Sequence, residues 1–93
     1  MKRLKDNAEL YEYLRLLSTK LEERGAKELA ESVAHASRTS AGNMITEFLG
    51  ESRIVLVRVM KEERGVLTAQ ERDEMRDVLG QLDQVFERHK FSR

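Results

Sequence analysis

His35 follows Glu31 by four residues, a spacing that puts both side chains on one face of a helix, where they could share a metal ion. Ser32 and Thr39 flank the same histidine at helical spacing, so an imidazole base and two hydroxyls lie along one stripe. Neither arrangement is complete. Di-iron sites in helical bundles need Glu-x-x-His motifs from two helices, and this chain contains none. Nucleophilic catalysis needs an oxyanion hole beside the base, and no nucleophile elbow or glycine-rich turn accompanies His35. The second histidine, His89, sits between Arg88 and Lys90 near a helix end, where positive charge complements the helix dipole. With no cysteine in the chain, thiolate metal sites, cysteine nucleophiles and disulfides are excluded. Phosphate-cradling patterns are also missing; Ala41-Gly42-Asn43 is a lone glycine at an expected helix start. No catalytic residue, metal ligand or cofactor is therefore expected.

Ninety-three residues make one domain, 1–93, with little surplus stability. Charge is abundant but balanced, 17 basic against 17 acidic groups, and it is spread evenly along the chain. A nucleic-acid binder normally shows a basic face. Here such a face would need Arg53, Arg58, Lys61 and Arg64 to converge with the basic ends. A helix-turn-helix reading of the last helix places Glu71, Asp73, Glu74 and Asp77 at the end that should enter the groove, where phosphates would repel them. The longest aliphatic run is Ile54 to Val57, far short of the ~20 residues that cross a bilayer, and no signal peptide is evident. The expectation is a cytoplasmic protein with no membrane partner.

Apolar periodicity predicts an all-α fold. Leu10, Tyr11, Leu14, Leu17, Ser18 and Leu21 lie on one helical face, with Leu16 off it. Asp6 or Asn7 can cap that helix. Met75, Val78, Leu79, Leu82, Val85 and Phe86 form a second such face, preceded by the capping box Thr68-Ala69-Gln70-Glu71. The tetrapeptide Glu-Glu-Arg-Gly occurs twice, ending at Gly25 and Gly65, and each glycine is placed as the left-handed residue past a helix end. Val66 is expected to fold back on Met60 or Lys61 in a Schellman motif. Between these stops, Ala30, Val33, Ala34, Ser37 and Ala41 make a thin seam, and residues 39–43 are poor helix formers with Asn43 a candidate cap. The predicted helices are 6–24, 26–38, 43–64 and 68–89, forming a four-helix bundle of two antiparallel helical hairpins. The alternative merges the second and third helices into one, since their apolar phase is preserved from Ala26 to Val59.

One segment exceeds what a surface helix needs. Ile54 to Met60 is apolar around most of its girth, which calls for cover from several directions. The sequence therefore points to a small non-catalytic interaction or regulatory module, self-associating through its third helix, with a dimer favoured and a protein partner also accommodated. The expected interface residues are Ile54, Leu56, Val57 and Met60, with Tyr13 contributing an amphipathic ring from the first helix. Aspartate at Leu56 or Val57 is expected to loosen the assembly while helicity persists. Two alternatives remain: a nucleic-acid-binding helical protein, and a small enzyme with an inter-subunit pocket near His35, Tyr11 or Tyr13.

Overall fold

The structure, a computed structural model, describes residues 7–39 and 45–91. It is all helical: α1 spans Asn7–Glu23, α2 Lys27–Arg38, α3 Ile45–Glu62 and α4 Ala69–Phe91. No helix is long and apolar enough to cross a membrane among the described residues. The expected caps Asp6 and Asn43 and the seam residue Ala41 lie outside the described residues, as does the side chain of Phe86. The last helix extends two residues beyond the expected His89.

Each helix packs on the next in chain order, and a small helical bundle results. The core is one contiguous cluster. α1 contributes Leu10, Leu14, Leu17 and Leu21, the face its spacing predicts, while Leu16 is 60% exposed. α4 contributes Met75, Val78 and Leu82. The small side chains of α2 let α1 approach closely enough for the Ser18 hydroxyl to donate to the Ala30 carbonyl at 2.9 Å. Arg58 of α3 donates to the Ser32 hydroxyl of α2, 26 residues away in sequence. In one continuous helix those positions would be about 39 Å apart, so the chain reverses between α2 and α3. The merged helix is excluded. Near the end of α2, Ser37 and Thr39 hydroxyls donate back to the Ala34 and Ala36 carbonyls at 2.7 and 2.6 Å, the local competition that weakens helices.

The two Glu-Glu-Arg-Gly segments end their helices differently. After α1, Gly25 is left-handed (φ 88°), its N–H donates to the Glu22 carbonyl, and the Ala26 N–H donates to the Leu21 carbonyl at 2.8 Å. That is the Schellman pattern. After α3, the left-handed conformation already begins at Arg64 (φ 47°) and continues at Gly65 (φ 86°). Here the buried Glu63 carboxylate receives two of the turn's donors, Oε1 accepting from the N–H of Gly65 at 2.9 Å and of Leu67 at 3.0 Å, while the Val66 N–H donates to the Glu63 carbonyl at 3.0 Å. Val66 and Met60 are both partly buried against the core, and the carboxylate clasp takes the amides on either side of Val66. The physical cause is Leu67, which is drawn into the core and takes its amide away from water.

Replacing Gly25 with alanine introduces a Cβ at a positive φ while meeting no neighbour. The cost is then conformational alone, and the variant should lose about 1 kcal/mol in urea unfolding.

Candidate functional site

α3 lies between α2 and α4, and that position disposes of most of its apolar girth. Two adjoining stripes are covered: Phe48, Val55 and Val59, and Leu49 and Leu56, are all buried within the chain. Leu56 is 0% exposed, so it is a core residue and is removed from the expected interface. Its aspartate variant would place a charge in the core rather than loosen an assembly. Val57 and Met60 are half-buried, Met60 against the core. Ile54 is 63% exposed. The outward face of α3 thus keeps one fully presented branched apolar side chain, with Val57 beside it.

Tyr13 belongs elsewhere. It is half-buried against the core, next to Leu16, Leu17, Lys20, Glu71 and Glu74, in a small crevice of about 50 Å³ between α1 and α4. Burial there, followed by the nearby Glu74 and Glu71 carboxylates, pushes its hydroxyl well above the ordinary value near 10. Tyr11 packs at the core's edge with the Arg15 guanidinium over its ring, 5.9 Å from the centroid.

A broad open groove of about 610 Å³ runs between α2 and α3, with Glu31, Ser32, His35 and Arg38 on one side and Glu51, Ile54 and Arg58 on the other. His35 is exposed at this groove. The hydroxyls flanking it are engaged elsewhere: Ser32 Oγ accepts from Arg58 at 2.7 Å, and Thr39 donates to a helix carbonyl. Among the described residues no three His, Cys, Asp or Glu side chains converge as metal ligands do.

The basic residues of α3 are partly neutralised. Arg53 pairs with Asp83 of α4, and Arg58 Nε donates to Glu62 at 3.2 Å. Lys61 and Arg64 are exposed.

A dense polar cluster lies where α1 ends and α4 begins. Glu71 accepts from both terminal nitrogens of Arg24, at 2.6 and 3.1 Å, and from the Thr68 N–H at 2.9 Å, with Lys20 3.3 Å away. Thr68 Oγ1 accepts from the Glu71 N–H, so the capping box forms as its spacing predicts. Arg24 also donates to the Val66 carbonyl at 3.0 Å, tying the first helix end to the α3–α4 turn. These bonds, that from Arg24 first, hold the Glu71 carboxyl at about 2, well below its ordinary 4.5. A depressed carboxylate stabilises the folded state above the unfolded value and loses that contribution as pH falls towards the folded one. Urea midpoints measured from pH 5 down to pH 2 should therefore drop more steeply for the wild type than for Glu71→Gln. The cluster is a structural joint, built from groups the chain itself satisfies.

No family model, curated protein or solved structure matches this chain.

Proposed function

We propose that the protein is a small non-catalytic helical interaction module that self-associates, as a dimer, through the outward face of α3 around Ile54. The observation that supports this reading is Ile54 itself, 63% exposed at the middle of a helix whose Phe48, Leu49, Val55, Leu56 and Val59 are buried. A lone exposed apolar residue is ordinary on a protein surface. Its neighbours give it significance: half-buried Val57 lies beside it and charged residues rim it on both sides, the anatomy of an apolar contact centre with a polar border. The corrected surface is Ile54 and Val57, with Met60 at its edge. The reading places the module in the cytoplasm, with a further protein partner accommodated on the same face; cell fractionation checks the location. Sedimentation velocity tests the assembly, since Ile54→Asp should sediment more slowly than the wild type while keeping its helicity. Equal sedimentation of the two would remove α3 from the assembly.

Nucleic-acid binding is the weaker reading, because Glu47, Glu51 and Glu62 stand among the basic residues of α3 and Arg53 already faces Asp83 of its own chain. A gel shift that weakens steeply with added salt would reinstate it. The enzyme reading draws on the groove beside His35, and a loss of any detected activity on His35→Ala would support it.

A further inference from the structure

We infer that the occupant of the α3 face is a second copy of this chain, docked antiparallel about a two-fold axis that passes beside Ile54. This deepens the self-association proposed above and rests on it. The order of charges along the helix points to that occupant. At 100° per residue, Glu47, Glu51, Ile54, Val57, Arg58 and Lys61 all point within about 60° of one direction, and that direction is the one the core residues of α3 leave outward. Both acids precede Ile54 and both bases come after it. Glu47 and Lys61 stand seven residues to either side of Ile54, about 10 Å along the axis. Glu51 and Arg58 stand three and four residues away.

A two-fold operation that reverses the helix about Ile54 brings Glu47 to Lys61 of the second copy and Glu51 to Arg58, with Ile54 against Ile54. A two-fold interface requires such a self-complementary patch, in which each residue's counterpart is itself present on the same face. Turning the second helix parallel instead sets acid on acid and base on base, which is disfavoured where the charges face each other directly. Arg58 keeps 41% of its side chain exposed while bonded to Glu62 and Ser32, so its charge remains available at the rim. Glu47 and Lys61 are exposed. The apolar centre supplies contact and the charge order selects the direction.

The chain has no cysteine, so single introduced thiols report proximity without interference. Three full-length variants are oxidised under native conditions: Ile54→Cys, Glu47→Cys and Lys61→Cys, the last carrying a size tag. Ile54→Cys alone should crosslink to a dimer. Glu47→Cys mixed with tagged Lys61→Cys should give the mixed disulfide at least about tenfold above either homodimer. Efficient Glu47→Cys and Lys61→Cys homodimers in place of the mixed species would overturn the antiparallel orientation and leave self-association through this face standing. Absence of any crosslink at Ile54→Cys, with a wild type that scatters as a monomer, would overturn the self-association itself.

Discussion

Leu56→Asp should unfold the chain or remove most of its stability, whereas Ile54→Asp, two residues away on the same helix, should leave it folded. Leu56 is wholly enclosed and Ile54 is 63% exposed. A carboxylate forced into the core costs more than about 4 kcal/mol, against a total stability of about 5–15 kcal/mol for a domain of this kind. An exposed substitution stays within about 0.5 kcal/mol. Far-ultraviolet circular dichroism at 25 °C and urea unfolding separate the two outcomes: lost helicity or a collapsed midpoint for Leu56→Asp, and for Ile54→Asp wild-type helicity with a midpoint that matches the wild type at concentrations too low for self-association. If both variants unfold, α3 has no outward apolar face and the interaction reading loses its surface.

The second large effect is expected at Glu63. Its carboxylate is buried and holds the amides of Gly65 and Leu67, with Arg72 3.7 Å from the other oxygen. Glu63→Ala leaves those two donors without the acceptor, and the Leu67 amide belongs to a buried residue. An unsatisfied buried donor costs about 1–3 kcal/mol, so the variant should lose roughly 3 kcal/mol and, for a domain this size, more than about 10 °C in melting temperature. Glu63→Gln keeps an oxygen in the same place and should recover most of that loss. By contrast, Glu23→Ala, at the matching position of the first tetrapeptide, should be nearly silent because Glu23 is exposed. Equal losses at Glu23 and Glu63 would contradict the clasp.

That contrast shows where sequence reading succeeds and where it stops. Local rules with short range held: the α1 leucines and the Met75, Val78, Leu82 stripe fall on buried faces, Leu16 falls off one, and Thr68 and Glu71 cap α4. Gly25 ends α1 through carbonyls of its own helix, again a local affair. The identical tetrapeptide at Gly65 behaves otherwise because its fate is set by the residues just beyond it. Lys27 opens α2 at once, while Leu67 must first be buried before α4 begins. A signal for Glu63 was present: it continues the helical line of Leu56 and Val59 by four-residue and seven-residue steps, an acid on a core stripe.

The apolar girth of α3 was legible, but its cause was not. Periodicity reveals how many sides of a helix are apolar and is silent on whether its own chain or another covers them. Here α2 and α4 take two of the stripes, which moves Leu56 from interface to core and leaves Ile54 and Val57 outward. The partners of Arg24, 42 and 47 residues distant in sequence, come from packing that no local pattern encodes.

Static light scattering of the wild-type chain from about one to about a hundred micromolar tests the assembly most directly. The predicted result is a mass rising to twice the 10.8 kDa of one chain, with Ile54→Asp remaining at one chain throughout. A wild type that stays at the single-chain mass at every concentration would contradict self-association through α3.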